Sequence, residues 1–288
     1  MIKTISILGC GWLGFPLALK LISLGYTVKG STTSQDKTAL LKNSNIIPYQ
    51  LNCTSESIEG DHVADFFKTD ALFVNIPFKR DLQDPQVYPA LMKVIARYAV
   101  EGGVKKIVFA SSTAVYPVNN RTAREEDVIV PSDKRAEALL SAECIFLNEQ
   151  RFNTIVIRFA GLYGQNRDIA GFLKSGRVTS KDGNTPVNLI HLDDCIGIVT
   201  VALEKDISGE IFNACGDAHP LRKDLYVHAA IAMGIKPPAF AESENPSYKI
   251  VSNEKVKLLL SYRFIHPGPW GWIGQNMKSD THDKGRTV

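Results

Sequence analysis

Three glycines near the start of the chain have a spacing that suits the binding of a phosphate group. Gly9, Gly11 and Gly14 form a G-x-G-x-x-G pattern within the run ISILGCGWLG. In such a turn the first glycine permits the bend, the second lets the backbone approach a pyrophosphate, and the third allows close helix packing. The unpaired N–H groups and positive dipole of the following helix attract the anion. The residues predicted to bind a dinucleotide here are Gly9, Cys10, Gly11, Trp12, Leu13 and Gly14.

The residues around this turn predict the strand and helix that it needs. Residues 5–8 form a short apolar run typical of a buried strand, and apolar residues recur at helical spacing over 13–22. A second strand-like run at 26–28 completes a β-α-β unit, the context in which the glycine pattern becomes informative. Lys3 and the run ending at Cys10 also resemble a lipoprotein signal. That alternative is disfavoured because the apolar core is far shorter than a signal requires.

The segment that should meet the adenosine ribose carries hydroxyl groups and no acid. It lies about 20 residues beyond the glycine turn, where NAD-preferring sites place Asp or Glu on the ribose 2′-hydroxyl. Ser31, Thr32, Thr33 and Ser34 stand there instead, and Lys37 follows. Their hydroxyl and N–H groups could hold a 2′-phosphate. We therefore expect NADP as the cofactor, with NAD as the alternative because the usual arginine is also missing.

Strand-like and helical segments then alternate along the chain. The strand-like runs are 46–52, 71–78 and 105–112, and the long helical patterns are 88–100 and 131–147. This alternation predicts an α/β fold of the Rossmann type, a doubly wound parallel sheet with helices on both faces. Asn75, Ile76 and Pro77 close one strand at the same sheet edge as the glycine turn, so we expect them to line the cofactor crevice.

The composition limits the class of protein. The chain has 288 residues, 44% of them hydrophobic and 22% charged, which suits an ordinary globular protein with a sizeable core. No apolar run approaches a membrane span, and a net charge of +3 without a long basic run predicts no nucleic-acid partner. The five cysteines are widely spaced and form no C-x-x-C pair, so we expect a reducing cytoplasm and no zinc site.

One histidine is followed closely by two acids, an arrangement that raises the question of a metal. His191 precedes Asp193 and Asp194 at the start of a helical pattern. An acid at the first turn of a helix commonly caps its free N–H groups. We therefore expect Asp193 or Asp194 to cap this helix, His191 to fix the junction, and no metal to bind.

Four segments, taken in order, resemble one known family. FASSTAVYP at 109–117 is similar to the fifth strand of the atypical and extended short-chain dehydrogenase/reductases, the epimerase/dehydratase group. RFAGLYGQNR at 158–167, VNLIHLDD at 187–194 and GEIFNACGD at 209–217 resemble later segments of the same family. With the glycine turn, these segments cover most of residues 1–217. The resemblance implies a nicotinamide-dependent oxidoreductase or epimerase.

The resemblance also implies roles for particular side chains. Ser112 takes the position of the family's active-site hydroxyl, which binds the substrate oxygen, and Thr113 is its neighbouring candidate. The family moves the proton with a Tyr four residues before a Lys on the next helix. Aligning Glu143 with the helix acid of the family puts Arg135 in the position of the Tyr and Leu139 in that of the Lys. No Y-x-x-x-K sequence occurs anywhere in this chain.

Another group must therefore move the proton if the protein is an enzyme. Tyr116 is the preferred candidate because it follows the strand end closely, with Ser112, Lys134, Arg135 and Tyr163 as alternatives. Arg135 cannot release a proton near neutral pH but can hold a carboxylate or phosphate. The residues predicted to bind substrate are Arg135, Arg158, Tyr163 and Arg167.

The remaining segments complete the predicted organisation. A Rossmann domain over 1–167 is completed by 191–217, and a small substrate lid is formed by 168–190 and 218–273, followed by a disordered tail over 274–288. We expect a homodimer through the helices 88–100 and 131–147, which carry apolar residues at helical spacing. The predicted function is an NADP-dependent oxidoreductase or epimerase acting on a small-molecule substrate. The alternative is a non-catalytic NADP(H) sensor.

Overall fold

A large twisted sheet forms the centre of the molecule in the computed structural model, which describes residues 2–79, 83–169, 173, 182–240 and 242–276. The strands of this sheet and of two smaller ones are β1 Thr4–Leu8, β2 Thr27–Thr32, β3 Ile47–Cys53, β4 Ile58–Gly60, β5 Ala71–Val74, β6 Lys106–Ser112, β7 Thr122–Ala123, β8 Asn153–Phe159, β9 Gly161–Tyr163, β10 Leu189–His191, β11 Glu210–Ala214 and β12 Ile250–Val251. The large sheet has eight strands in the order β11-β8-β6-β5-β1-β2-β3-β4.

The order of the strands reverses at β1, which lies between β2 and β5. Ile5 pairs with Val28 of β2 on one side and with Ala71 of β5 on the other, both in parallel register. All neighbours in this sheet are parallel except β3 and β4. A crevice opens at the carboxyl ends of the strands wherever the order reverses in this way. The doubly wound parallel sheet expected from the sequence is confirmed, and β4 is a short edge strand that its sequence did not indicate.

Helices cover both faces of the sheet. They are α1 Gly14–Ser23, α2 Gln35–Asn43, α3 Val63–Phe67, α4 Val87–Glu101, α5 Lys134–Leu147, α6 Leu192–Glu204, α7 Arg222–Ala232, α8 Glu254–Leu259 and α9 Trp270–Asn276. Buried residues of α1 and α6 pack together on one face, in a core that includes Leu17 and Ile198. Those of α3, α4 and α5 pack on the other face, around Phe66, Ile95 and Phe146. The three layers bury the sheet on both sides and hold its carboxyl edge in place.

Two boundaries differ from the sequence pattern for identifiable reasons. The apolar run 71–78 predicted a longer strand, but β5 ends at Val74. Pro77 lacks the N–H that a central strand would need for its ladder. Helix α5 begins three residues later than Pro131, because the Asp133 carboxylate accepts the Ala136 N–H at 2.7 Å and caps the helix there.

Residues of the C-terminal segment belong to two different cores. Leu225 and Ile273 pack with Tyr163 in a separate small core. Val251 and Val256, however, are fully buried in the core of the sheet domain. Strand β12 pairs in parallel with β7 in a separate two-stranded sheet, and Leu260 and Phe264 lie in the same core as Val251, so this part of the segment 218–273 packs against the large sheet.

Three further predictions concern surfaces and ends. Among the described helices, none is long and apolar enough to cross a membrane. All five cysteines are free thiols. Helix α9 runs to Asn276 and so includes the first residues of the predicted tail 274–288, while 277–288 lie outside the described residues.

Candidate active site

The glycine turn has the shape that a phosphate-binding turn requires. Gly9 has a φ of +106°, and a Cβ there would lie 2.8 Å from the Asn75 carbonyl oxygen. A Cβ on Gly14 would collide with the carbonyl oxygen of Gly9. A Cβ on Gly11 would meet nothing within 4 Å, because this residue faces open space. The turn therefore presents bare backbone and a helix N-terminus to a cavity, as the sequence predicted.

Two side chains predicted to bind the cofactor also form hydrogen bonds with this turn. The Ser31 hydroxyl accepts the Gly9 N–H at 2.9 Å, and the Ser31 carbonyl oxygen accepts the Cys10 N–H at 2.8 Å. The Asn75 side-chain amide donates to the Gly9 carbonyl oxygen at 3.0 Å. The Thr32 hydroxyl accepts the Ser34 N–H at 3.1 Å and so is engaged within its own loop. Thr33 and Lys37 are exposed beside them.

A cavity of about 410 Å³ extends from the glycine turn along the carboxyl edge. The predicted residues that line it are Gly9, Cys10, Gly11, Ser31, Thr32, Thr33, Asn75, Ile76 and Pro77, with Lys37. Residues that the sequence reasoning missed also line it, namely Leu51, Asn52, Cys53, Thr54, Ser55, Lys79, Val87, Tyr88 and Leu91. The first three are the last residues of β3 and the next two follow its end, a position that the predicted parallel sheet already placed at this edge.

Trp12 and Leu13 of the turn have other contacts. Leu13 is buried in the core behind the turn. The Trp12 indole N–H donates to the Gln165 carbonyl oxygen at 2.7 Å, and the Arg167 guanidinium lies 5.4 Å from the centre of the indole ring. The predicted substrate residue Arg167 thus stands next to the glycine turn, where it can contact a phosphate.

The predicted hydroxyl pair lies at the end of β6, on the same edge. Ser112 is half-buried, and its hydroxyl oxygen accepts the Ala114 N–H at 3.2 Å, which begins a 3₁₀ turn over Thr113–Val115. Within the described part of the chain the Ser112 hydroxyl has no acceptor, so its proton can be donated to a ligand. Thr113, the first residue of that turn, is buried.

Tyr116 and Arg158 contact each other instead of a substrate. Tyr116 is 2% exposed, and its hydroxyl donates to Asn213 at 2.9 Å and accepts from Arg158 at 2.7 Å. Arg158 donates from its Nη2 to the buried Glu143 carboxylate at 2.6 Å. Burial raises the pKa of Tyr116 to about 12, although Arg158 acts to lower it. This position corrects the predicted roles, because neither side chain reaches the cavity as a proton donor or substrate ligand.

Tyr163, a third residue predicted to contact substrate, lies in the small core with Leu225 and Ile273. Its side chain is 1% exposed and packs edge-on against the His191 ring at 5.0 Å. Burial raises the pKa of its phenol, and Asp194 raises it further. The phenol therefore packs within this small core and does not line the described cavity.

Arg135 does not line the described cavity but lies beside Phe78, which adjoins it, and a lysine that the sequence did not indicate binds the turn after Ser112. The Arg135 guanidinium lies 5.6 Å from the centre of the Phe78 ring, which follows the cavity residue Pro77. Lys249 reaches the same region from the C-terminal segment and donates to the carbonyl oxygens of Thr113 and Tyr116. No motif marks Lys249, since more than 130 residues separate it from both partners.

The His191 junction differs from the predicted capping. The His191 ring accepts the Asp193 N–H at 3.1 Å, so the histidine itself is the N-cap of α6. Asp194 instead accepts the N–H groups of Ile265 and His266, at 2.7 and 3.0 Å, and holds the C-terminal segment. His191, Asp193 and His266 have donor atoms within 4.8 Å of one another. The absence of a metal therefore stays a prediction.

The fold and this site together define a Rossmann-type dinucleotide-binding protein, with its glycine turn and hydroxyl pair on one sheet edge. A model of the NAD dependent epimerase/dehydratase family matches residues 5–215, and the chain belongs to that family. The chain is 32% identical to protein YeeZ of Escherichia coli (strain K12) over 269 residues, which are 93% of this chain and 97% of YeeZ.

Two solved structures with this fold contain bound ligands. A short-chain dehydrogenase/reductase superfamily protein from Agrobacterium tumefaciens with bound NAD has a TM-score of 0.79 at 16% identity, covering 98% of both chains. The UDP-glucose 4-epimerase of Thermotoga maritima with UDP-glucose also has a TM-score of 0.79, at 18% identity, covering 98% of this chain and 100% of the epimerase. At these identities the likeness concerns the fold.

Proposed function

We propose that the protein is an NADP(H)-dependent oxidoreductase or epimerase acting on a small oxygenated substrate with an anionic group. One observation carries this proposal. The carboxyl ends of three neighbouring strands, β1, β5 and β6, bear the glycine turn, Asn75–Pro77 and Ser112 respectively. A dinucleotide lying along that edge would run from the glycine turn toward the Ser112 hydroxyl.

The residues present fit such a cofactor. The open space at Gly11 leaves the backbone accessible to a pyrophosphate. The first turn of α1 offers N–H groups and carries no acidic side chain that would repel the anion. A bound nicotinamide would supply or accept a hydride. The Ser112 hydroxyl would then orient the substrate oxygen, while Arg135 and Arg167 supply positive charge for an anionic group.

The preference for NADP over NAD rests on the charge around the loop after β2. Thr33 and Lys37 line the cavity there, and none of the described cavity-lining residues is acidic. Titration calorimetry with NADPH and NADH tests the preference, with Lys37→Met as the variant and the exposed Lys20→Met as its control. We expect tighter binding of NADPH and a loss of that preference in Lys37→Met only. Equal affinities in the wild type would contradict it.

A second function from a different class is a non-catalytic sensor of NADP(H). It is favoured by the absence of tyrosine from α5 and by the burial of Tyr116. Consumption of NADPH by the wild type and by Ser112→Ala, measured against panels of carbonyl compounds and nucleotide sugars, distinguishes the two. Turnover that falls in Ser112→Ala supports the enzyme. Cofactor binding without turnover on any panel member supports the sensor.

We also propose that the protein is a cytoplasmic homodimer that pairs through α4 and α5. The five free thiols support a reducing compartment. The groove between α4 and α5 is lined by charged residues that include Lys93, Arg97, Glu149 and Arg151. Such an interface would therefore be salt-sensitive. Light scattering at low and high salt tests the dimer, and a monomeric mass at micromolar concentration in low salt would exclude it.

A further inference from the structure

Lys249 has a backbone that is held firmly against the sheet domain. It directly precedes β12, whose Ile250 pairs with Thr122 of β7. The Asn188 side chain donates to the Lys249 carbonyl oxygen at 2.9 Å and accepts the Val251 N–H at 2.9 Å. The backbone of Lys249 is therefore held in a fixed position relative to β7.

Its side chain ends at the turn that follows the predicted active-site hydroxyl. The ammonium donates to the carbonyl oxygen of Thr113 at 2.9 Å and to that of Tyr116. These two carbonyls belong to the turn that directly follows Ser112. An ammonium has three N–H donors, so these two bonds hold it in place and leave one donor for a ligand.

The surroundings of Lys249 favour loss of a proton near neutral pH. Burial, with a smaller contribution from Arg135, lowers its pKa to about 8, and Asp133 opposes the shift. Both of these charged groups belong to the start of α5, and they are the ones that act on Lys249 among the described residues. Proton transfer is most efficient when the pKa of the donor lies near the working pH. Arg135 itself stays charged and cannot serve.

We propose that Lys249 is the proton-transferring residue of this site and passes the proton of its ammonium to the substrate oxygen held by Ser112. The proposal deepens the proposed function and rests on it. Helix α5 carries Arg135 and Leu139 where related enzymes carry Tyr and Lys, so here the donor comes from a different element. Tyr116 cannot take this role, because its hydroxyl is buried between Arg158 and Asn213.

The step balances in the direction of reduction. The substrate carbonyl carbon accepts the hydride that a reduced nicotinamide supplies, and the π electron pair of the C=O bond moves onto the oxygen. That oxygen takes a proton from the Lys249 Nζ, which becomes a neutral amine. The amine regains a proton from solvent. In oxidation the neutral amine accepts the proton of the alcohol, so the rates of the two directions depend oppositely on pH.

Two substitutions separate proton transfer from structural support. Lys249→Arg keeps the positive charge and can still bind the carbonyls of Thr113 and Tyr116, but it cannot release a proton near neutral pH. Lys249→Met removes charge and donor together. Lys105→Met, at a side chain that is 82% exposed, is the control for loss of a lysine elsewhere. Thermal melts and NADPH affinity by calorimetry establish that each variant is folded and loaded.

The first measurement is single-turnover consumption of NADPH, from pH 6.5 to 9.5, with the carbonyl compound that the wild type reduces fastest. We expect the wild-type rate to fall as pH rises through about 8, where the ammonium loses its proton. Both Lys249 variants should be slower by ~10²–10⁴-fold, the usual effect of a general acid. In neither variant should the rate fall as pH rises through about 8. Both variants should bind NADPH with the affinity of the wild type.

The second measurement needs no substrate. Lysines carrying ¹³C-methyl labels are followed by NMR, and the resonance absent from Lys249→Arg is that of Lys249. A titration midpoint near 8 supports the proposal, whereas one near the ordinary lysine value of ~10.4 overturns it. Full turnover with the wild-type pH profile in Lys249→Arg also overturns it, and leaves the proposed function standing. A folded wild type that binds NADPH yet reduces no carbonyl compound overturns the proposed function and this role with it.

Discussion

The guanidinium of Arg158 donates a hydrogen bond to the hydroxyl of Tyr116 over 2.7 Å, in the interior between α5 and the sheet. Both residues stand in segments that resemble the active-site motifs of the family, and both have chemistry suited to catalysis. Their hydrogen-bonding capacity is used within the protein, since Arg158 also binds Glu143 and Tyr116 also binds Asn213. A buried network of this kind fixes how α5 sits against β6 and β8, and thereby fixes the edge that carries Ser112.

Tyr116→Phe should therefore lower stability and leave catalysis largely intact. The change removes the hydroxyl that bridges Asn213 and Arg158 and leaves a buried amide oxygen without this donor, which costs about 1–3 kcal/mol. Turnover should stay within about tenfold of the wild type, well short of the ~10²–10⁴-fold loss of a general acid. Urea unfolding and NADPH consumption measure the two effects. Tyr98→Phe, whose ring packs on Phe67 outside the network, is the matched control.

The Glu143–Arg158 pair should be strongly coupled in stability. Arg158→Met leaves the Glu143 carboxylate buried without its cation, which typically costs about 3–5 kcal/mol. The double variant Glu143→Leu with Arg158→Met removes both charges together and should be less destabilised than the sum of the single variants. Urea denaturation of the four proteins gives the coupling free energy. Simple additivity would show that the pair is not a unit.

Glycine substitutions should separate cofactor binding from folding. A side chain at Gly11 meets no protein atom within 4 Å, so Gly11→Val should melt close to the wild type while blocking the approach of a pyrophosphate. Gly14→Val should instead unfold at a markedly lower temperature, because its Cβ collides with the Gly9 carbonyl. Thermal melts and calorimetry with NADPH test both. Wild-type NADPH affinity in a folded Gly11→Val protein would refute the assignment of the turn.

The sequence predicted the elements of this site better than their side-chain partners. The glycine turn, the end of β5 and Ser112 could be located because strand periodicity identifies a parallel sheet, and a parallel sheet collects strand ends at one edge. Periodicity could not reveal that Ser31 braces Gly9 or that Arg158 pairs with Glu143, because those bonds depend on three-dimensional packing. The position of Lys249 could not be predicted from the sequence for the same reason. The pairing of β12 with β7 brings this lysine to the end of β6 from a distant part of the chain.

The His191 junction predicts a measurable dependence of stability on pH. Burial, with a smaller contribution from the adjacent His266, lowers the pKa of His191 from 6.5 to about 4, and Asp193 opposes the shift. Three rings pack against the His191 ring and shield it from water. Their centres lie 5.0 Å (Tyr163), 3.8 Å (His266) and 4.3 Å (Trp272) from its centre.

Between about pH 4 and pH 6.5, His191 binds a proton in the unfolded chain but not in the folded one. The free energy of unfolding therefore falls as pH falls from 6.5 toward 4. His191→Asn keeps a side-chain acceptor for the Asp193 N–H, since Asn is a good N-cap, and removes the titrating ring. Its stability should consequently decline less steeply than that of the wild type over this range, as measured by urea unfolding at half-unit pH steps.

Carboxylates that titrate in the same range are shared by both proteins and cancel in the comparison. The exposed His62→Asn should keep the wild-type slope. Identical slopes for His191→Asn and the wild type would show that His191 is protonated equally in the folded and unfolded chain.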